Sequence, residues 1–239
     1  MSRDQKLTGS FELDHPIFLD KFGSLLELVK RRGSEALAAL ADELSSEKEL
    51  WKQMLASYWN GQWAEEECFF VRACLQPYLE HLANTGTLPF DSSLMVDAAQ
   101  RAVFTEAPQP HQTCPFCGRK PQLAFISNET SMPGLIEGSV EGGRRFLMCG
   151  DCLTPWPFQR IACASCLEVN PYKLPYYSAA DAPTIRVECC ESCKHYIKSI
   201  DLTKDNRAVP PVDELAAVPL DLWAQGQGYT KTQLNLAGM

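Results

Sequence analysis

The sequence lacks any apolar run that could cross a membrane. Hydrophobic residues make up 45% of the chain, but none of their runs approaches the stretch of about 20 that a membrane helix needs. Residues 1–16 contain neither the apolar core of a secretory signal nor a twin arginine. These absences predict a cytoplasmic protein that does not insert into membranes and whose thiols stay reduced.

Positive charge is also in short supply. The chain has 22 lysines and arginines against 30 aspartates and glutamates, so its formal net charge is −8. Arg144, Arg145 and Arg160 could form a small basic patch, but residues 114–204 hold 10 basic and 9 acidic side chains, a net charge of only +1. Because binding to phosphates needs an excess of positive charge, we predict no nucleic-acid partner.

The signatures of common hydrolases and nucleotide-dependent enzymes are missing too. The sequence has no Gly-x-Ser-x-Gly elbow, no Gly-x-x-x-x-Gly-Lys-Ser/Thr phosphate loop and no His-Glu-x-x-His zinc motif. We therefore predict that the protein is not an enzyme.

The first part of the chain has the periodicity of amphipathic helices. Phe22, Leu26 and Val29 recur at spacings of three and four and so share one helical face, and Gly33 is a natural stop. Further helices are predicted from Ser34 to about residue 46, around residues 50–58, over 63–83 with a kink or split at Pro77, and over 92–105. We predict an all-α domain over residues 1–107 and a proline-containing linker over 107–113.

Cysteine, by contrast, is abundant: the chain has 11, and eight of them form four Cys-x-x-Cys pairs. The pairs are Cys114/Cys117, Cys149/Cys152, Cys163/Cys166 and Cys190/Cys193. In a reducing compartment, clustered cysteines indicate metal rather than disulfides, and two such pairs supply the thiolates of one tetrahedral site. We therefore predict two metal ions, iron or zinc, in closed four-cysteine sites with a structural role.

The order of the pairs allows two groupings. Sequential grouping joins the first pair to the second and the third to the fourth, whereas interleaved grouping joins the first to the third and the second to the fourth. We favour sequential grouping because its loops close at a lower entropy cost. Short β-type runs at 123–126, 145–148, 185–188 and 195–200 adjoin the pairs.

Together these patterns predict an α+β protein. The N-terminal all-α domain would be followed by two small rubredoxin-like or zinc-ribbon-like β modules, over residues 114–160 and 161–204. A C-terminal tail over residues 205–239 would carry a short helix.

The other cysteines and the histidines near the pairs have structural interpretations. Cys189 would point away from the ion that Cys190 binds and be a spare thiol. Cys68 and Cys74 are interpreted as small buried hydrophobic residues. His111 and His195 flank cysteine pairs, but eight thiols already complete two sites, so we predict surface histidines and not ligands.

With the pairs in place, residues 114–235 resemble the formate dehydrogenase accessory family (FdhE). The elements that carry the resemblance are Cys114-Pro-x-Cys-Gly118, Gly143-x-Arg145-Phe-Leu-x-Cys149, Trp156, Arg160, Tyr196-Ile-Lys198, Asp213-Glu214-Leu215-Ala216, Leu220-Asp221, Gly228-Tyr229 and Asn235. The chain departs from the family at Pro155, where an acidic residue usually stands, and at Glu214, where a second aspartate is often found.

The resemblance implies a cytoplasmic accessory protein, a chaperone or maturation factor. Such a protein would bind the catalytic subunit of a molybdenum- or tungsten-dependent formate dehydrogenase and support its assembly, with rubredoxin-like iron in its cysteine motifs. An alternative is an iron protein that passes electrons while that enzyme matures. Trp156 is interpreted as a buried anchor and Arg160 as an ion-pair partner, with contact to the client enzyme as the alternative for each. The oligomeric state stays open.

Overall fold

The chain divides into two compact units, Met1–Asp91 and Ser92–Met239. The structure is a computed structural model and describes residues 16–46, 48–59, 69–85, 111–128 and 142–239. The described part of the first unit is helical and a β-sheet dominates the described part of the second, so the predicted α+β class is confirmed. The predicted helix over 92–105 and Cys68 lie outside the described residues, and the segment boundaries predicted above stay a prediction.

Four helices form the described part of the first unit: α1 (Pro16–Arg32), α2 (Glu35–Ser46), α3 (Lys48–Trp59) and α4 (Phe69–Thr85). Gly33 ends α1, and its N–H donates to the Val29 carbonyl at 2.7 Å. Ser34 then caps α2, because its Oγ accepts a hydrogen bond from the N–H of Leu37. Both boundaries therefore lie where the sequence predicted them, at Gly33 and Ser34.

The core of this unit is apolar and well buried. Trp51, Leu55 and Leu79 are each at most 1% exposed, and the ring of Phe22 stacks on Trp51. Helix α4 is not split at Pro77, which lies inside it. Leu75 and Leu79, which lie two residues before and two residues after the proline, are both fully buried. We attribute the continuity of the helix to their packing.

The second unit is built on one seven-stranded sheet. Its strands are β1 (Pro121–Ser127), β2 (Arg144–Cys149), β3 (Pro155–Pro157), β4 (Tyr176–Ser178), β5 (Ile185–Cys189), β6 (His195–Asp201) and β7 (Thr230–Lys231). The order is β3-β2-β1-β6-β5-β4, with β7 beside β6. Strand β1 is central and every one of its residues is buried, as expected for a strand covered on both faces.

The two predicted β modules share this sheet. Strand β1 pairs with β6 in parallel, with Leu123 opposite Lys198 and Phe125 opposite Ile200. Phe146 of β2 packs in the same core cluster as Phe125 and Ile200. A sequence pattern could not indicate this pairing, because a parallel pair joins strands that are far apart along the chain.

The C-terminal tail carries two helices, α5 (Pro210–Ala216) and α6 (Val218–Gly226), where one was predicted. Four buried charged side chains join the tail to the sheet. Lys198 of β6 lies 3.0 Å from Glu214 and 2.5 Å from Asp221, and Lys231 of β7 contacts both carboxylates. All four side chains are 0% exposed. Within the described ranges, no helix is both long and apolar enough to span a membrane.

Candidate metal centres

The first two cysteine pairs meet in one buried cluster. The turn before β1 carries Cys114 and Cys117, while Cys149 ends β2 and Cys152 lies in the turn that follows it. The sulfurs of Cys117 and Cys149 lie 3.3 Å apart, and those of Cys114 and Cys152 lie 3.6 Å apart. All four sulfurs lie within 4.8 Å of one another, and all four residues are buried.

The last two pairs meet in a second, more open cluster. Cys163 and Cys166 lie in the turn that follows β3, and Cys190 and Cys193 lie in the turn between β5 and β6. Two sulfur pairs, Cys163 with Cys193 and Cys166 with Cys190, are each separated by 3.6 Å. Cys166 is exposed and Cys193 is half-buried, so solvent reaches this cluster.

Both clusters have the donors and the size that a thiolate-bound metal needs. A tetrahedral ion with sulfur ligands at about 2.3 Å places those sulfurs roughly 3.8 Å apart, close to the observed separations. A disulfide would need about 2.05 Å. The grouping is the sequential one, and four thiolates suit both iron and zinc. Eight described cysteines can therefore hold two ions.

The four cysteine turns share one backbone geometry. In the first, the N–H of Phe116 points at the Cys114 sulfur at 3.4 Å, and the N–H of Gly118 donates to the Cys114 carbonyl. The residue after the second cysteine has a positive φ in each turn: Gly118, Leu153, Leu167 and Lys194. The last three are the non-glycine residues with positive φ in the described part of the chain. The repeated turn directs two sulfurs toward one point.

Several thiols of the clusters resist ionisation without a metal, whereas hydrogen bonds from the other cysteines of its cluster lower the pKa of Cys152. Burial raises the pKa of Cys114 and of Cys117 well above the ordinary value of a cysteine thiol. Burial likewise raises the pKa of Cys193 to about 11. Since a metal binds the thiolate and not the thiol, metal binding here must release protons.

Different interactions connect the two turns of each cluster. In the first cluster, Arg119 and Asp151 form an ion pair of 3.1 Å, with side chains only 2% and 3% exposed. In the second, the Ser192 hydroxyl donates to Glu168 at 2.6 Å at the surface. A buried ion pair therefore connects the two turns of the first cluster, whereas an exposed hydrogen bond connects those of the second.

Two of the non-ligand thiols and histidines differ from the predictions, because Cys74 was expected to be buried and His195 exposed and both are half-buried. Cys189 is 2% exposed in a core with Val187 and Tyr196, and burial raises its pKa to about 12. Cys74 is half-buried in α4, and burial raises its pKa to about 11. Neither His111 nor His195 belongs to a cluster among the described residues, although His195 is half-buried and its Nδ1 lies 2.9 Å from the Cys193 carbonyl.

Trp156 and Arg160 both make contacts to the backbone. Trp156 is 4% exposed and donates from Nε1 to the His111 carbonyl at 2.9 Å, as a buried anchor would. Arg160 donates from Nη1 to the carbonyls of Gly142 and Gly143, at 2.5 and 2.6 Å, and it forms no ion pair with any residue that the structure describes.

The sequence patterns did not predict that the buried charged side chains of the tail form one network. Lys198, Glu214 and Asp221 belong to the motifs that carry the family resemblance, but the motifs alone gave them no role. A signal was present: a lysine inside the apolar strand Tyr196–Ile200 must be paired if that strand is buried.

The chain is similar to known proteins over most of its length. A family model described as the C-terminal domain of FdhE matches residues 161–237. A protein FdhE homolog of Aquifex aeolicus is 32% identical over 229 residues, which cover 95% of this chain and 72% of that protein. The chain belongs to the FdhE family.

Other FdhE proteins are more distant and longer. Protein FdhE of Escherichia coli (strain K12) is 26% identical over 216 residues, or 88% of this chain and 62% of that relative. The crystal structure of the FdhE protein from Pseudomonas aeruginosa matches with a TM-score of 0.65 at 25% identity, covering 94% of this chain and 71% of that one. The similarity extends beyond the cysteine-rich unit to most of this FdhE chain.

Proposed function

We propose that this FdhE protein is a cytoplasmic accessory factor for a molybdenum- or tungsten-dependent formate dehydrogenase. It binds the catalytic subunit of that enzyme and supports its assembly, and it is not itself an enzyme. The observation that carries this proposal is the similarity to FdhE proteins over nearly the whole chain. The partner is a protein, with no role for nucleic acid or membrane insertion.

The eight clustered cysteines would hold two ions, iron or zinc, in this role. Bound metal would crosslink the two turns of each cluster, and in small modules metal binding contributes directly to folding. Cys114, Cys117, Cys149 and Cys152 would hold one ion, and Cys163, Cys166, Cys190 and Cys193 the other. Four protein ligands leave no open position at a metal, which fits a structural role better than a catalytic one.

The test is an anaerobic affinity purification from the native host during growth on formate, with mass spectrometry of the proteins that co-elute. We expect enrichment of a formate dehydrogenase catalytic subunit. The variant Cys114→Ser/Cys117→Ser removes two ligands of the first cluster and should lose that enrichment. The variant Cys189→Ala is the matched control, because it removes a cysteine outside both clusters. A subunit that is present in the lysate but not enriched would contradict the proposal.

One observation favours a second candidate, a rubredoxin-like redox protein. The exposed Cys166 brings the second cluster to the surface, where a redox partner could approach it. An iron–thiolate absorption band that bleaches and recovers reversibly in protein from the native host would support this function. Colourless protein with stoichiometric zinc would exclude it.

A further inference from the structure

A cavity of about 270 Å³ lies beside the second cysteine cluster, entirely within the second unit. Cys163 and Cys190 form part of its wall. Apolar side chains supply much of the rest, including Ile161, Leu174 and Ile197. This volume is large enough for one or two side chains of a ligand and too small for a whole helix or hairpin.

The charges in the wall of this cavity are mostly positive, although the whole chain is acidic. Arg145, Arg160 and Arg186 line it together with one carboxylate, Glu188. Glu188 is fully engaged, since it accepts from Arg145 at 2.5 Å and from two nitrogens of Arg186 at 2.9 and 2.7 Å. The guanidiniums of Arg145 and Arg186 hold its pKa below the usual range despite burial. The three arginines and Glu188 therefore carry a net charge of +2, to which a divalent ion bound by the four thiolates of the second cluster would add −2.

Some of the guanidinium donors have no acceptor in the described part of the chain. Arg160 uses Nη1 for two carbonyls, and Arg186 uses Nε and Nη2 for Glu188. Arg160 Nη2 and Arg186 Nη1 donate no hydrogen bond to any described residue. Arg145 is buried, and its Nε also finds no acceptor among those residues. A carboxylate on a ligand would supply acceptors of matching charge.

The edge of the sheet borders the same cavity. Strand β4 is the last strand, with β5 as its neighbour, and all three of its residues are exposed. Tyr176 of β4 lines the cavity, and Arg186 lies over its ring. An exposed edge can pair with an extended peptide, whose alternate side chains then point to the same side.

We propose that this cavity and the β4 edge bind an extended segment of a partner protein, with an acidic side chain two residues away from an apolar one. The apolar side chain occupies the cavity, and the carboxylate pairs with Arg160 and Arg186. A carboxylate is favoured over a phosphate because Glu188 lies between the guanidiniums and would repel a dianion. The inference rests on the proposed function, since it names the chemistry by which a client polypeptide is recognised.

The test uses the full-length, metal-loaded protein and a fluorescent hexapeptide, Gly-Leu-Thr-Asp-Thr-Leu, in a fluorescence-anisotropy titration. Leucine and aspartate alternate with threonine in this probe, so they share one side of an extended strand. The comparison probe carries asparagine in place of aspartate. We expect the aspartate probe to bind about five- to tenfold more tightly, because it alone offers a charged acceptor to the guanidiniums.

Two surface variants locate the site. Ile161 and Val169 are each 57% exposed, and only Ile161 lines the cavity. Ile161→Asp adds a negative charge at the rim and should weaken binding of the aspartate probe by about fivefold or more. Val169→Asp makes the same kind of change outside the cavity and should leave binding unchanged. The metal content and the circular dichroism spectrum of each variant are measured to establish that it is folded.

Three outcomes would overturn the inference: equal binding of the two probes, equal effects of the two variants, or displacement of the probe by inorganic phosphate at the probe's own concentration. None of these results bears on capture of a formate dehydrogenase subunit, which the affinity purification measures separately. If that capture fails while the aspartate probe still binds in the predicted way, the proposed function is wrong and the peptide site stands.

Discussion

At the scale of the residue, the position after each second cysteine has a positive φ. Glycine occupies it only in the first turn, as Gly118 with φ +72°, whereas Leu153, Leu167 and Lys194 adopt it in the others. A residue with a Cβ pays about 1–2 kcal/mol for the left-handed conformation. The geometry of the cysteine turn therefore prevails over the preference of these side chains.

The first prediction concerns Gly118. A Cβ added there would meet no heavy atom within 4 Å, so Gly118→Ala tests the backbone conformation and not a clash. We expect a loss of about 1 kcal/mol, seen as a thermal midpoint lowered by a few degrees. Gly226→Ala is the matched control, because it also meets no atom but lies in α6 without a positive φ. Equal midpoints for the two variants would refute this explanation.

The second prediction separates two adjacent cysteines. Cys190 belongs to the second cluster, whereas Cys189 packs in the core with Val187 and Tyr196. Cys190→Ala should therefore reduce the bound metal from two ions to one per chain. Cys189→Ala should keep both ions and lose only about 1 kcal/mol of stability from the missing sulfur. Metal analysis by mass spectrometry measures both results, and loss of an ion from Cys189→Ala would contradict the assignment.

At the scale of the elements, the buried charge network fastens α5 and α6 to the sheet. Glu214 of α5 accepts from Lys198 and Lys231 and also from Gln122 and Asn235. The Tyr196 hydroxyl donates to Asp221 at 2.9 Å. Burial lowers the pKa of Lys231, although the nearby carboxylates oppose this shift. Each charge here is tolerated only because its partners are present.

The third prediction is that removal of one buried carboxylate destabilises the protein, because the remaining charges lose a partner. Glu214→Gln leaves Lys198 and Lys231 with one carboxylate between them, and we expect a loss of about 3–5 kcal/mol in urea unfolding. The double variant Glu214→Gln/Lys231→Met restores the charge balance. It should be more stable than the sum of the two single variants indicates. Additive losses would show that the network does not act as a unit.

At the scale of the whole molecule, the two candidate metal centres differ in access to solvent. The first cluster is wholly buried and the second has the exposed Cys166, while both lie along the same seven-stranded sheet. A chelator must reach the sulfurs or wait for the surrounding structure to open. The burial of its ligands therefore sets how fast each centre releases its ion.

The fourth prediction is that a chelator releases metal in two phases of equal amplitude. The second cluster should supply the fast phase and the first cluster the slow phase, as followed with a colorimetric metal indicator. Cys166→Ser weakens the second cluster and should remove the fast phase alone. Cys74→Ser, which changes a thiol outside both clusters, should show both phases. A single phase in the unmodified protein would contradict the difference in burial.

The features that could be predicted from the amino-acid sequence are local ones. Spacings of three and four around Phe22 and Leu26 indicated α1, and Gly33 marked its end, because helix periodicity and helix ends depend on neighbouring residues. The grouping of the cysteines was also predictable, since short loops close at the lowest entropy cost. The strand runs at 123–126 and 195–200 could also be located, because strand propensity, like helix periodicity, depends on neighbouring residues.

The features that became visible only in the folded protein involve residues that are distant along the chain. The parallel pairing of β1 with β6 made one sheet of two predicted modules. The partners of Lys198 came from α5 and α6, and the cavity needed Arg145, Arg160 and Arg186 from separate segments. Such contacts leave no periodic pattern, because their free energy depends on burial and charge in the folded chain and not on spacing along it.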